Sequence, residues 1–461
     1  MIHFFYFVLL KFFSIFGPPP FLLFSSLLFL LLSIPLPPIV TLQFTMSLSP
    51  TYVQPVIPTE GRLGHLNQEQ IEKLKQFWER LYDIFDGKTP FDQTAPSSFK
   101  GQARDEEGDG APAQKSGWFG RSKSASETST APVAPRFTGK DLYKAFWKLT
   151  MMDHPDLIVL KFIRARKWVL DDALKMFLNA LKWRIVERLD ELVELSDVEL
   201  DAKYPKFIEQ MRIGKGYLRG ADPLGRPMSV VNTRLHHKAD QPAETIHRFT
   251  LYTMECGRTV LPVGSETVIV IFDLSNFGLD NMDWGFVRLF VQCFESYYPE
   301  TLGVCVVHRA PFVFWGLWKL IQPLLDPVVA TKFVFTRNNA ELHKVIPRER
   351  LPITHYDGLD DWKYQYVPAS EGENDCMKDL TRKEELLNER QALETKFDVM
   401  TRAWIKEAGG KNSDERDEIA KEMREQYTRL SPYIRAVSLY MRWGVAVDGE
   451  VNWTYNVKAE E

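Results

Sequence analysis

Few side chains in this 461-residue chain stand at spacings that carry chemistry. Gly214-Lys215-Gly216 with Gly220 resembles a dinucleotide-binding loop, but has one residue too many. The turn DPLGRP (222–227) follows where a helix N-terminus would have to meet the phosphates. The segment therefore reads as a strand entering a hairpin. The chain contains no G-x-x-x-x-G-K-[ST] phosphate loop and no G-x-S-x-G nucleophile elbow. His236-His237 lacks a partner carboxylate at ligand spacing, so a surface loop is the simpler reading and no metal site is expected. Cys256, Cys293, Cys305 and Cys376 are widely spaced with no C-x-x-C pair, which points to a reducing compartment. With no nucleophile–base pair in view, the chain is not expected to be an enzyme, and no cofactor is implied.

Apolar surface, not chemistry, is in excess. In PFVFWGLWKLIQPLL (311–325), bulky apolar residues occupy every face except Lys319 and Gln322. A helix hydrophobic all round is either deep core or in contact with lipid. At 15 residues this one is too short for a bilayer, which needs roughly 20. By itself the pattern favours buried core.

The elements that must position these residues follow from periodicity. The whole chain is 45% apolar and 26% charged, the balance of an ordinary globular protein. Its net charge of −4 gives no basic domain of the kind that binds nucleic acid. Asn67 can cap a helix to Asp86 whose Ile71, Leu74, Phe77, Leu81, Ile84 and Phe85 share one face. Residues 87–136 are rich in small residues, Pro and mixed charge, and read as a disordered linker in which Trp118-Phe119 is incidental. Helices are expected over 140–150, from Pro155, and over 170–189. From about 208 the period alternates. Strands are expected at 213–219, 228–233, 267–273, 302–308 and 332–336, with helices at 243–260, 282–296 and 311–325 between the later ones. That order argues for crossovers and a largely parallel sheet. Charged helices follow at 377–406 and 413–430.

Residues 1–45 carry one charge, Lys11, and are dominated by Phe, Leu, Ser and Pro, all of which have codons made only of pyrimidines. Prolines at 18–20, 35, 37 and 38 leave too short an apolar run for a spanning helix. The segment reads as a mis-assigned start, with translation expected from Met46; a membrane anchor is the alternative.

Two stretches carry a family resemblance. LKFIRARKW (160–168) and YYPETLG (297–303) resemble the CRAL-TRIO lipid-binding family, whose fungal branch includes phosphatidylinositol transfer proteins. HRAPF (308–312), LDPV (325–328) and Leu351-Pro352 stand in family order, and the charged helical tail is similar to a non-classical fungal type. The resemblance covers about 140–360. It implies an α/β fold: a small N-terminal helical lobe, then a mostly parallel sheet whose helices form an apolar lipid pocket, closed by a gate helix, and a helical C-terminal tail. The expected units are the leader 1–45, a helix and linker 46–136, the lobe 137–207, the lipid-binding domain 208–366 and the tail 367–461.

The same resemblance implies roles. The gate falls on Phe312, Phe314, Trp315, Leu317, Trp318, Leu320, Ile321 and Leu324, which makes that segment partly lipid-facing. Glu300 and Lys332 fall where relatives hold the phosphatidylinositol headgroup, and Arg166 and Lys167 where they hold the gate's hinge. A family Thr near the phosphate is Val329 here. The phosphatidylcholine positions fall on Leu218, Ser229, Val268 and Val270, three of them without a hydrogen-bonding side chain. Phosphatidylinositol is thus the expected ligand, with little phosphatidylcholine binding. A sterol precursor or tocopherol-like molecule is the alternative. The protein is expected to be a cytoplasmic monomer that touches endoplasmic reticulum or endosomal membranes transiently, with a phosphoinositide kinase as a further partner.

Overall fold

The computed structural model describes residues 59–96, 135–262, 265–407, 413–447 and 450–453. The leader, the start at Met46 and Trp118-Phe119 lie outside these residues, as does most of the expected linker.

Helix α1 (Gln68–Phe85) begins as its sequence implies, with Asn67 and Gln70 forming a reciprocal capping box. Its buried face carries Leu74, Phe77, Leu81 and Ile84. The two ends of the long connection that follows are drawn together, Thr94 bridging Arg136 and the Phe137 N–H donating to the Gln93 carbonyl at 3.0 Å. Helix α2 (Gly139–Thr150) opens with a second capping box, Thr138 with Asp141. Gly139 sits so close to α1 that a Cβ there would lie 2.1 Å from the Ile84 carbonyl oxygen. Helices α3 (Pro155–Ala165) and α4 (Leu170–Val186) complete the lobe. Helix α4 stops three residues short of the expected end, because Arg188 turns left-handed (φ 52°) and starts α5 (Leu189–Glu194). Two short helices, α6 (Asp197–Lys203) and α7 (Phe207–Arg212), lead to the sheet.

The sheet has strand order β1-β2-β3-β4-β5, from β1 (Gly216–Ala221), β2 (Pro227–Asn232), β3 (Val268–Asp273), β4 (Leu302–His308) and β5 (Phe333–Thr336). β1 pairs antiparallel with β2 in a hairpin, and the other pairs are parallel. β1 begins at Gly216 and not at Ile213, because Ile213 and Gly214 close α7 by bonding to Glu209 and Met211 carbonyls. The parallel strands are joined by α8 (Ala243–Thr259), α9 (Trp284–Gln292) and α10 (Phe314–Ile321). Helix α9 is shorter than expected, since from Cys293 to Tyr297 the chain widens into a π-turn.

Alternation gives the sheet two apolar faces. Tyr217, Val230, Ile271, Val306 and Val334 pair across all five strands and pack into the main core. The opposite face carries Leu218, Ser229, Val270, Cys305 and Phe333 in one row, and Gly216, Val231, Phe272, Val307 and Phe335 in the next.

The tail forms an antiparallel pair, α11 (Leu380–Lys406) and α12 (Ser413–Ile434), tied by Arg390 to the Met423 carbonyl and Gln426 to the Leu386 carbonyl. It packs on the lobe, where Tyr82 of α1 and Tyr143 of α2 both donate to Asp398 (2.8 and 2.9 Å). No helix of the described residues is long and apolar enough to cross a membrane.

Candidate functional site

The second sheet face floors a cavity roofed by α8, α9 and α10. All but Cys305 and Phe335 of its two rows line the space, with Phe249, Met254 and Gly257 from α8 and Phe286, Phe290 and Phe294 from α9 and its π-turn. About 1680 Å³ is free of protein atoms, the open mouth included. A methylene fills about as much room as the roughly 30 Å³ of a liquid water, so two acyl chains of roughly 30 methylenes ask for roughly 900 Å³. Cavity and open mouth together exceed that figure, and the long stretches of aromatic and branched wall suit hydrocarbon.

The gate segment resolves its all-round apolar pattern by facing two ways. Phe314, Trp318, Ile321 and Leu325 are buried toward the cavity. Trp318 packs against Phe333 and Phe335, and Trp315 against Phe335. Leu317 is half-buried. Outward stand Phe312, 93% exposed, with Leu320 at 60% and Leu324 at 48%. The α-helical part is shorter than 311–325: Phe312 lies in the lead-in turn and Leu324 in a 3-10 turn. Pro323 lacks the N–H that a further helical bond would need.

Glu300 and Lys332 are not among the residues lining the cavity; they stand at its rim, since Thr301 and Phe333, their chain neighbours, do line it. The YYPE turn is fixed from behind. Tyr297 stacks on Trp183, ring centres 4.0 Å apart and planes at 6°. Tyr298 donates to buried Glu255 (2.6 Å), which Arg184 grips with two bonds. Glu300 takes a left-handed φ of 59°, and its carboxylate lies 3.8 Å from Arg164 Nε, too far for a hydrogen bond. Burial holds the Lys332 ammonium below its ordinary value, while the field of Glu300 opposes that shift. Val329, half-buried, offers no hydroxyl here; its carbonyl accepts from the Lys332 N–H.

Sequence reasoning missed much of this rim. Arg164 also bonds to Glu266, and Arg62 reaches the same carboxylate at 2.7 Å. Burial alone would raise the Glu266 carboxyl; Arg164, Lys161 and Arg62 outweigh it and hold it below the usual range. Arg164 stands inside the LKFIRARKW motif and was open to notice; Arg62 and Glu266 carry no local signal. Arg166 and Lys167 sit at the turn after α3, where Lys167 and Trp168 are both left-handed (φ 51° and 64°). Lys167 is exposed. The charge of Arg166 acts on Glu295, whose carboxylate accepts the Asp326 N–H just beyond the gate.

Leu218, Val268 and Val270 all line the cavity beside Ser229. At the far end of the sheet the lining turns polar again, with Lys215, His236, Asn281 and Asp283. Here the sequence reading of His236 needs correcting. It does have a carboxylate partner, Asp283 at 3.1 Å, brought from the α9 cap, and it is half-buried. Among the described residues no three His, Cys, Asp or Glu side chains could hold a metal ion.

Comparison with known proteins places this geometry. The CRAL/TRIO domain profile matches residues 211–358, and the CRAL/TRIO N-terminal domain profile 73–179. A CRAL-TRIO domain-containing protein of Schizosaccharomyces pombe, C3H8.02, is 31% identical over 84% of this chain and 92% of its own. The chain belongs to the CRAL-TRIO family. A second relative, the phosphatidylinositol transfer protein CSR1 of Eremothecium gossypii, is 31% identical over 82% of this chain and 97% of its own. Among solved structures, the crystal structure of Sfh5 aligns with a TM-score of 0.39 at 17% identity, over 51% of this chain and 93% of that one.

Proposed function

We propose that this CRAL-TRIO protein binds phosphatidylinositol, one molecule at a time, and carries it between membranes. The observation that carries the reading is the apolar cavity with Lys332, Glu300 and Arg164 gathered at its rim. Exposing roughly 30 methylenes to water costs on the order of 20 kcal/mol at ~0.8 kcal/mol each, so a carrier must replace bilayer contact almost completely. The sheet floor and gate supply that contact. Lys332 meets the phosphate as a point charge, and Glu300 accepts bonds from inositol hydroxyls. Relatives named as phosphatidylinositol transfer proteins, 31% and 27% identical, support the assignment.

The gate opens about the hinge that Arg166 and Lys167 hold, and its exposed Phe312 and Leu320 meet the membrane surface. The carrier works as a cytoplasmic monomer, visits endoplasmic reticulum or endosomal membranes transiently, and presents its lipid to a phosphoinositide kinase. Leu218, Val268 and Val270 leave a choline headgroup without partners. The same three side chains favour a second reading, a wholly apolar ligand such as a sterol precursor or tocopherol-like molecule. Native mass spectrometry of lipid co-purified with the protein separates the two. Phosphatidylinositol bound one to one is expected; a neutral lipid in its place would overturn the first reading.

A further inference from the structure

The rim described above is one polar end of the cavity; Lys215 is at the other. It immediately precedes β1 at Gly216, whereas Lys332 immediately precedes β5. Because β1 runs antiparallel to its neighbour, its start lies at the C-terminal ends of the parallel strands. The two lysines therefore mark diagonally opposite corners of the floor, separated sideways by four strand spacings, roughly 19 Å.

Lys215 is 5% exposed and lines the cavity. Its Nζ donates to Gln241 Oε1 at 2.9 Å and lies 3.5 Å from His236 Nδ1. No carboxylate of the described residues comes within ion-pair distance of it. Asp240, Asp283 and Glu209 act on it through their fields without touching it, and Asp283 is engaged with His236. A buried ammonium with no carboxylate in contact carries a desolvation cost, and an anion that paired with it directly would offset that cost. A diacyl lipid with its headgroup at the Lys332 corner would bring only chain ends near this charge.

We propose that Lys215 is the anchor of a second ligand subsite, which takes the carboxylate of a single long-chain acid whose tail runs along the sheet toward the gate. Gln241 and His236 hold the ammonium in place, and Leu218, Val231 and Phe272 receive the start of the chain. The inference rests on this cavity being a ligand site, as the proposed function does, but not on phosphatidylinositol being the ligand.

The test is competition between oleate and methyl oleate for the delipidated full-length protein, read by native mass spectrometry. Oleate is expected to win by about tenfold or more, since only the acid pairs with the ammonium. The preference should collapse in Lys215→Met, which keeps the apolar bulk, and persist in Lys332→Met. Equal binding of acid and ester by the parent, or a preference that survives Lys215→Met, overturns the proposal. A measurement on the parent alone guards against a variant that does not fold. Burial pushes the Lys215 amine down to about 8 against the fields of Asp240, Asp283 and Glu209, with His236 the other titratable group beside it. The oleate preference should therefore fall between pH 7 and 9.5, and a constant preference also overturns the proposal. Phosphatidylinositol transfer, measured on the same sample, reports separately on the proposed function.

Discussion

Arg416, in the second tail helix, holds Asp156 of α3 through both guanidinium Nη atoms in a buried pair that spans 260 residues of chain. Trp78 of α1 donates to the same carboxylate at 2.7 Å. The guanidinium also lies over the rings of Phe397 and Trp404 of α11. One carboxylate thus ties the tail to the helical lobe. Removing one partner of such a pair strands the other without solvent, typically about 3–5 kcal/mol. Arg416→Ala should lose that much in urea unfolding. Adding Asp156→Asn should restore part of it, since the stranded charge is then gone. An unchanged midpoint for Arg416→Ala would mean that this pair contributes nothing to the hold of the tail on the lobe.

A titration should be visible in the same region. Glu394 of α11 is pushed up to about 7 by burial, which outweighs its contact with Arg390 at 3.2 Å. In the unfolded chain it titrates near 4.3. Between those values the folded state binds more protons than the unfolded one, so this group makes stability fall as pH rises from about 4.5 to 7. The loss is on the order of 3 kcal/mol at ~1.4 kcal/mol per unit. Asp156 acts with the opposite sign: Arg416 outweighs burial and holds it low, so its contribution is lost only in strong acid. Glu394→Gln should flatten the slope of unfolding free energy between pH 5 and 7; an unaltered slope would refute the assignment.

The headgroup residues give a third test. If Lys332 and Glu300 meet phosphate and inositol, truncating either leaves a buried polar group unmatched, about 2–5 kcal/mol. That is roughly 30-fold to several-thousand-fold in affinity. Lys332→Ala and Glu300→Ala should each abolish measurable phosphatidylinositol transfer between vesicles, with the melting temperature near the parent's. Transfer at parental rates by either variant would reduce these charges to surface decoration.

Much of the fold was legible because its signals are local. Asn67 and Pro155 announce helix starts, and β4 (Leu302–His308) falls where alternation placed it. The errors came where a neighbour decides. Gly214 and Lys215 are apt for a strand, yet the carbonyls of α7 claim their N–H groups. The site was legible only through its motifs. Glu266 joins Arg62 and Arg164 across about a hundred residues or more, and Asp283 meets His236 across 47; no spacing within a helix or strand announces such contacts.

Cavity chemistry predicts selectivity. Leu218, Val268 and Val270 line the space with Ser229 as the one hydroxyl among the four positions, so a choline phosphate placed there would lose its water and gain from these four only the Ser229 hydroxyl. The protein should move phosphatidylinositol between vesicles and leave phosphatidylcholine nearly untouched. Comparable transfer of both lipids would refute that assignment.

The outer face of the gate yields the last prediction. Phe312, Leu320 and Leu324 are exposed, while Phe314, Trp318 and Ile321 from the same segment are buried against the cavity. The exposed set contributes little to the folded state, because it makes few contacts there. On a membrane each side chain that enters the acyl boundary contributes about 1.5–3 kcal/mol, the transfer energy of a large apolar group. Replacing Leu320 by Asp removes that gain and adds a charge that resists leaving water. Leu320→Asp should therefore weaken vesicle binding by at least tenfold in a flotation assay and slow lipid transfer with it. Phe312→Asp should behave alike, since that ring is the most exposed apolar group of the segment. Melting temperature should hardly move in either case. Trp318→Asp is the contrast: it buries a charge beside Phe333 and Phe335, so it should lower the melting temperature as well. Undiminished vesicle binding by both outer-face variants would place the membrane contact on another surface.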